Sequence, residues 1–180
     1  MKRIFLGLVA ILFSLFSVSA QGTILFSTTK EIGESIEIRV NYENDAWIDL
    51  NNNGVRDENE TLENGVFKKY TIMSQTLAIY GDIQILDFND STINYLSATE
   101  VQTLETIVCF NSQLLSIDIN SLSNLSWIQI EGNKLNTLEL NSLFDKLPET
   151  QMGYLAIVDN PGVSEIAVNR ATVKGWIVDL

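Results

Sequence analysis

Apolar residues recur with a fixed period through the second half of the chain. From Ile83 onward, rows of 21 residues align eight columns over three successive rows, and seven of these columns are wholly apolar. A repeat of this period indicates similar structural units stacked on one another. The columns are Ile83, Leu104 and Leu125; Leu86, Ile107 and Ile128; Phe88, Cys109 and Ile130; Ser91, Ser112 and Asn133; Ile93, Leu114 and Leu135; Leu96, Ile117 and Leu138; Ala98, Ile119 and Leu140; and Val101, Leu122 and Leu143.

Each row combines a short strand with a polar turn. Leu86 and Phe88, like their equivalents in later rows, alternate with period two, which is typical of a strand with one buried face. The column of Ser91, Ser112 and Asn133 follows the strand, where a short polar side chain can bond to free backbone groups. Because no single row can bury its apolar side alone, we expect the rows to stack around a shared core.

The row pattern L-x-x-L-x-L-x-x-N-x-L, which is best preserved at residues 125–135, resembles the nested 21-residue leucine-rich repeat of bacterial secreted and surface proteins. Ser91 and Ser112 stand where this family prefers asparagine, so the first two rows are degenerate copies. The resemblance covers residues 81–163. It implies a short, β-rich leucine-rich-repeat solenoid with a few helices, a small N-terminal β cap and a C-terminal helix-strand cap.

The repeat is interrupted before its last row. A fourth, partial row begins at Met152, which lies 27 residues after its equivalent instead of 21. The apolar residues just before it have helical spacing, which predicts an insertion helix at about residues 141–148. Asn141 is suited to cap the start of this helix, and Pro148 is suited to end it.

Both ends of the predicted solenoid are expected to be covered. Residues 164–180 are predicted to form a C-terminal cap, with a helix up to Lys174 and an edge strand at residues 176–178. Residues 21–80 are predicted to form a small N-terminal β cap, because most of their β-rich stretches alternate between apolar and polar residues. These stretches are residues 23–27, 36–41, 46–50, 67–73 and 77–80.

The start of the chain has the features of a cleavable signal peptide. Lys2 and Arg3 precede an apolar run, and Val18 and Ala20 are acceptable at the two positions that a signal peptidase reads. We therefore predict a signal peptide over residues 1–20 and a protein that is secreted or located at the cell surface. No cysteine stands directly after the apolar run, which argues against a lipoprotein. No later segment has the ~20 apolar residues of a membrane span.

Composition narrows the classes of partner and of chemistry. The net charge is −12, and removal of Lys2 and Arg3 makes it more negative, so nucleic acid and anionic membranes are not expected partners. The chain contains no histidine, which removes Ser-His and Cys-His catalysis and most zinc sites. Its one cysteine, Cys109, lies in an apolar column and is expected to be a small buried hydrophobe.

Residues 49–60, with the sequence DLNNNGVRDENE, have the spacing of a calcium-binding loop. Oxygen-bearing side chains occupy loop positions 1, 3, 5, 9 and 12, and Gly54 occupies position 6, where the loop must turn sharply. Position 8 is arginine and the flanks are strand-like, so the segment resembles loops of secreted bacterial surface modules rather than an EF-hand domain. The alternative is a solvated Asn-Gly turn between two strands. The predicted calcium ligands are Asp49, Asn51, Asn53, the Val55 carbonyl, Asp57 and Glu60.

Residues that flank the buried pair of each row are predicted to point outward on a concave face. Trp127 and Tyr154 would lie on neighbouring strands about 4.8 Å apart, near Phe110, Gln129 and Glu131. Exposed aromatic clusters are typical of binding surfaces, so these five residues form the candidate ligand face. The alternative is that the aromatic side chains pack on one another or against the insertion helix. The outward positions are Ile85, Asp87, Asn89, Thr106, Val108, Phe110, Trp127, Gln129, Glu131, Tyr154, Ala156 and Val158.

Two classes of function fit these features. The first is an exported, non-catalytic module that binds a protein, peptide or glycan on the concave face. The second is a structural surface component in which calcium rigidifies the N-terminal cap. A hydrolase using an acid pair such as Asp57 and Glu60 is a distant third, because nothing places a second carboxylate across a cleft from them.

Overall fold

The computed structural model describes residues 22–89 and 91–180. The predicted signal peptide, residues 1–20, lies outside the described residues. Within them, no helix has the length and the apolar character that crossing a membrane requires.

Ten strands and two short helices make up the regular structure of the described residues. The strands are β1 (Thr23–Thr28), β2 (Ser35–Asp49), β3 (Lys68–Thr71), β4 (Thr76–Phe88), β5 (Ile93–Thr99), β6 (Thr106–Val108), β7 (Ser116–Asn120), β8 (Trp127–Gln129), β9 (Gly153–Ala156) and β10 (Trp176–Asp179). The helices are α1 (Thr137–Lys146) and α2 (Asn169–Thr172), and a 3₁₀ turn spans Val163–Glu165.

The first part of the chain forms antiparallel pairs around β4. Strand β1 lies between β4 and β5 and is antiparallel to both, while β2 pairs with β3 and with nearly the whole length of β4. Strand β1 alternates strictly, with Ile24, Phe26 and Thr28 buried and the residues between them partly exposed, as expected for a strand with one face on the core. The predicted strands at residues 36–41 and 46–50 are two parts of β2, whose pairing shifts register between Asn41 and Ala46.

The later strands pair in parallel with the predicted period. Leu86 pairs with Ile107, Ile107 with Ile128, and Ile128 with Leu155, across β4, β6, β8 and β9. The 21-residue register and the longer step before the fourth row are therefore confirmed for these strands. The predicted column of Leu96, Ile117 and Leu138 is wrong at its third member, because Leu138 lies at the start of α1 and is 75 % exposed. All four side chains are fully buried and belong to one hydrophobic core that runs from Ile24 to Trp176.

The polar column forms an internal ladder. The Asn133 side chain accepts from the Leu114 N–H at 2.9 Å and donates to the carbonyls of Cys109 and Ile130, at 2.7 and 3.0 Å. Asn160 repeats the arrangement one row later, accepting from the Leu135 N–H at 3.0 Å. These buried amides satisfy backbone groups that the turns remove from the sheet, as buried polar groups require.

The predicted fold class, a leucine-rich-repeat solenoid with separate end caps, is wrong. The strands form one β-rich sheet of mixed direction, curled like half of a barrel, in the order β10-β9-β8-β6-β4-β1-β5-β7, with β2 and β3 attached to β4. The boundary predicted between residues 80 and 81 falls inside β4, which pairs with antiparallel strands in its first half and with parallel β6 in its second. One strand thus serves both parts of the sheet, and no independent N-terminal cap is formed.

The helical segments also differ from the prediction. Helix α1 begins earlier than residue 141, because Asn136 caps it by accepting from the N–H groups of Leu138 and Glu139 at 2.9 and 3.1 Å. Asn141 instead lies within the helix and accepts from the Ala167 N–H at 2.9 Å.

In place of a closing helix over residues 164–174, the chain forms the 3₁₀ turn and the four-residue helix α2. Gly175 follows with a positive φ of 88°, which favours glycine, and leads into β10. The predicted edge strand is confirmed.

Candidate functional site: an acidic loop and an aromatic face

The loop at residues 49–60 is organised around two buried carboxylates. Asp49 and Glu60 are both 0 % exposed. The carboxylate of Asp49 accepts from the N–H groups of Asn53 and Gly54, at 3.1 and 2.7 Å. The carboxylate of Glu60 accepts from the N–H groups of Leu50 and Asp57, both at 2.8 Å. The first and last predicted ligands therefore fix the two ends of the loop onto its own backbone.

The middle of the loop connects the remaining predicted side-chain ligands, Asn51, Asn53 and Asp57, through hydrogen bonds. The Asn51 side chain accepts from the Asn53 N–H at 3.0 Å and donates to the Asp57 carboxylate at 2.9 Å. The Asn53 side chain accepts from the Val55 N–H at 2.7 Å. Gly54 has a φ of 74°, which explains the need for glycine at the sharp turn.

The charges of this loop are not balanced by nearby basic side chains. Arg56, the basic residue of the loop, pairs with Asp45 at 2.6 Å and not with the buried carboxylates. Burial raises the pKa of Tyr80, and the negative charge of Asp49 raises it further. In the described part of the chain, no group of three or more carboxylate or thiol side chains could hold a metal by itself. The predicted calcium set also includes two amide oxygens and a carbonyl.

The second candidate region is a surface that we name the aromatic face, formed by two neighbouring rows of residues across β2, β4, β6, β8, β9 and β10. Strand pairing aligns the members of each row, and their side chains point away from the buried columns. The first row is Asn41, Ile85, Thr106, Trp127, Tyr154 and Ile177, and the second row is Arg39, Asp87, Val108, Gln129, Ala156 and Asp179.

Trp127 and Tyr154 form the centre of the aromatic face. Their rings contact each other with centroids 4.5 Å apart and an interplanar angle of 36°. Trp127 remains 43 % exposed, and helix α1 packs near β7, α2 and the 3₁₀ turn instead of against these rings. The aromatic side chains therefore pack on one another, as the alternative interpretation allowed, but they stay open to solvent.

The polar groups of the two rings are already bonded within the face. The Trp127 Nε1–H donates to the Gln129 side-chain oxygen at 3.0 Å, and the Tyr154 hydroxyl donates to Asp179 at 3.1 Å. The hydrogen bond to Asp179 raises the pKa of Tyr154, and burial and the charges of Asp179 and Glu131 raise it further. Glu131 follows two residues after Gln129, and its Oε2 atom is buried without a hydrogen-bond partner.

The rest of the predicted outward positions divide into open and covered residues. Phe110 is 42 % exposed and borders a shallow depression of about 260 Å³, which it lines together with Phe88, Asn89, Ser91 and Asn111. Val108, Ala156 and Asp87 face outward but are buried, because larger neighbours on the same face cover them. The open part of the face is therefore smaller than the sequence predicts.

Sequence reasoning missed two charged members of the face. Asp179 ends β10, one residue beyond the predicted edge strand, and Arg39 lies in a strand that was assigned to a separate cap. Arg39 forms an ion pair with Asp87 at 2.6 Å and lies over the Phe67 ring, 5.0 Å from its centroid. Burial raises the pKa of Asp87, and the charge and hydrogen bond of Arg39 oppose the rise. Strand alternation was the available signal, but it does not show which strands become neighbours.

Cys109 is fully buried in the core, in agreement with its predicted role as a small core residue. Comparison with known proteins found no family model, no curated protein and no solved structure that matches this chain.

Proposed function

We propose that this protein is an exported, non-catalytic binding module whose ligand contacts the aromatic face. The observation that carries the proposal is the exposed Trp127–Tyr154 pair, against which neither helix of the described residues packs. Aromatic side chains of this kind provide large contact areas at low entropic cost, and they are frequent at the centres of binding sites. The ligand class is a protein, a peptide or a glycan.

The packing of the core does not require these two rings to be exposed side by side. The buried members of the same strands, Ile128 and Leu155, already close the core beneath them. Exposed aromatic surface costs free energy in water, so a pair that contributes little to the core is better explained by a ligand. The absence of histidine from the sequence supports the non-catalytic part of the proposal.

A binding screen tests this function. The secreted chain, residues 21–180, is labelled and applied to arrays of peptides and of oligosaccharides, next to a Trp127→Ala/Tyr154→Ala double variant. Leu138→Ala is the matched control, because Leu138 is a 75 % exposed apolar residue on α1, away from the face. We expect ligands that the parent chain and the control retain and the double variant loses. Equal retention by all three proteins would contradict the proposal.

The second candidate function is that of a structural surface component whose acidic loop is rigidified by calcium. It is favoured by the two fully buried carboxylates, Asp49 and Glu60, which have only backbone N–H partners. Each carboxylate oxygen keeps lone-pair capacity beyond one hydrogen bond, so Ca²⁺ could be held without releasing these bonds. Asn51, Asn53, Asp57 and the Val55 carbonyl would complete the set of ligands. Calorimetric titration with Ca²⁺ tests this candidate, and heats equal to those of buffer would contradict it.

Export is a separate part of the proposal. It depends on residues 1–20 and is tested by expressing the full chain in a bacterial host and sequencing the N-terminus of the product outside the cytoplasm. We expect a product that begins at Gln21. A cytoplasmic product that retains Met1 would contradict export.

A further inference from the structure

We propose that the ligand of the aromatic face is a cationic side chain, and specifically an arginine of a basic peptide segment, whose guanidinium lies over Trp127 and donates to Glu131. This inference deepens the proposed binding function and depends on it. It names the class of ligand from the hydrogen-bonding capacity and the charge of the face.

At the centre of the face, the two ring donors are used internally, whereas one acceptor of the neighbouring Glu131 side chain remains. At the other end of the face, Nε of Arg39 is a buried donor without a partner, and it lies beside Asp87. The Trp127 Nε1–H is bonded to Gln129 and the Tyr154 hydroxyl is bonded to Asp179. By contrast, Oε2 of Glu131 has no partner although the atom is buried. An unsatisfied buried acceptor costs free energy that a donating ligand recovers. A ligand that brings hydrogen-bond donors therefore fits this face better than one that brings acceptors.

The charge around the face favours the same class of ligand as its hydrogen-bonding capacity. Glu131 and Asp179 lie beside the aromatic pair, close enough for their charges to raise the pKa of Tyr154. In the two rows that define the face, Arg39 is the one basic residue among those described, and it is bound to Asp87 at the other end. The whole chain carries a net charge of −12. Electrostatic complementarity therefore favours a positively charged partner over an anionic or a neutral one.

Arginine suits this arrangement better than lysine for geometric reasons. Its planar guanidinium stacks on an aromatic ring and presents several N–H donors at its edge, so that one group can contact Trp127 and reach a carboxylate at the same time. The protein shows the same chemistry internally, since Arg39 lies over the Phe67 ring while it pairs with Asp87. Around Trp127, the protein provides the aromatic ring and the Glu131 carboxylate, and we propose that the ligand provides the cation.

The test is isothermal titration of the secreted chain with a blocked Gly-Arg-Gly-Arg-Gly peptide. The matched ligand replaces both arginines by citrulline, which keeps the shape and removes the charge, and a neutral oligosaccharide is titrated in parallel. The matched variants are Glu131→Gln at the face and Glu31→Gln in the exposed turn between β1 and β2, because each removes one negative charge from the chain. Trp127→Ala removes the stacking surface.

We expect citrulline to weaken binding about tenfold or more, and Glu131→Gln and Trp127→Ala to weaken it about five- to tenfold each. Glu31→Gln should stay within about twofold, since long-range charge is screened by salt. Equal affinities for arginine and citrulline, or no effect of Glu131→Gln, would overturn the inference. Binding of the oligosaccharide alone, lost in Trp127→Ala, would overturn the inference and leave the proposed function standing. If no probe binds and the arrays show no ligand that depends on Trp127, both fail.

Discussion

The ladder of parallel strands and the loop at residues 49–60 both bury polar side chains, but they satisfy them in different ways. Asn133 is a neutral amide that both accepts and donates, so its bonds to Leu114 and Cys109 leave no charge behind. Asp49 and Glu60 can only accept, and their hydrogen bonds to backbone N–H groups leave negative charge buried in the loop. The ladder therefore buries no net charge, whereas the loop buries negative charge that a bound cation would offset.

We expect the largest loss of stability from mutations in the buried apolar columns of the parallel strands. Ile128→Ala removes a fully buried side chain that pairs with Ile107 and Leu155, and it should lower the free energy of unfolding by about 2–5 kcal/mol. Gln129→Ala, one residue along the same strand, should change it by about 0.5 kcal/mol or less. Denaturant midpoints measure both. Similar losses at the two positions would mean that the register is not the source of stability.

Mutation of the polar ladder at Asn133 is expected to cause the next largest loss of stability. Asn133→Ala leaves the Leu114 N–H and the Cys109 carbonyl without their partner, and it should cost about 2–3 kcal/mol. Asn133→Ser should recover part of this loss, because Ser112 already bonds to Ile93 in the equivalent position. Urea denaturation of the two variants checks this order. A serine variant as unstable as the alanine variant would show that the hydroxyl cannot replace the amide in this row.

The loop should respond to calcium with a smaller gain. About 2 mM Ca²⁺ acting on a site of about 10⁻⁴ M adds about 1.8 kcal/mol by mass action. In a chain of this size, the thermal midpoint should rise by about 3–7 °C. Magnesium should have a smaller effect, since it requires a tight octahedral shell. Differential scanning calorimetry with each cation measures the difference.

A test variant and a matched control for the calcium effect are available at two adjacent exposed acidic residues of the loop. Asp57→Asn removes a predicted carboxylate ligand, and Glu58→Gln removes the same charge from a position that is not a ligand. Only Asp57→Asn should reduce the response to calcium. Equal responses of both variants, and equal effects of magnesium and calcium, would indicate charge screening without a site.

Removal of the aromatic pair should affect stability less than the loss of Ile128 or Asn133. Trp127→Ala with Tyr154→Ala removes side chains that contact each other on the surface, so the thermal midpoint should remain within a few degrees of the parent value. Thermal denaturation followed by circular dichroism measures this. A loss as large as that of Ile128→Ala would place these rings among the stabilising core contacts and would remove the basis for the aromatic face.

The smallest expected effect lies at Asp87, where the two regions of the sheet meet on β4. Burial raises the pKa of Asp87 above its ordinary value of about 3.8. The folded protein therefore binds this proton at higher pH than the unfolded chain, and the contribution of Asp87 to stability falls as pH rises through the interval just above 3.8. Unfolding free energies of the parent and Asp87→Asn between pH 3 and 7 should show this trend in their difference. A difference that grows with pH would contradict it.

The sequence predicted local periodicity well and long-range pairing poorly. Repetition of apolar residues every 21 positions placed Ile107 and Ile128 in one buried column, because identical spacing produces identical exposure in successive strands. The partners of β1 could not be predicted in this way. Alternation shows that Ile24 and Phe26 face a core, but the insertion of this strand between β4 and β5 depends on contacts far apart in sequence.

The candidate sites show the same division. The spacing of the acidic loop was visible in the sequence because all of its members lie within residues 49–60. The pairing of Trp127 with Tyr154 followed from the repeat register. Asp179 and Arg39 were missed because their positions on the aromatic face depend on the pairing of β10 and β2, which belong to no repeat. Asn141 was predicted to cap α1, but the cap in the structure is Asn136. Both are asparagines that precede apolar residues, so the sequence alone does not distinguish them and packing decides.

The contrast between an uncharged ladder and a charged loop that calcium is proposed to rigidify is tested most directly by hydrogen–deuterium exchange at short labelling times with and without Ca²⁺. The N–H groups of Asn53 and Gly54 should exchange about twentyfold more slowly at 2 mM Ca²⁺ if the loop opens locally and the site binds at about 10⁻⁴ M. The amides of β6, β8 and β9 should exchange at rates within about twofold of those without calcium. Unchanged exchange in the loop, or equal protection of loop and ladder, would contradict the account.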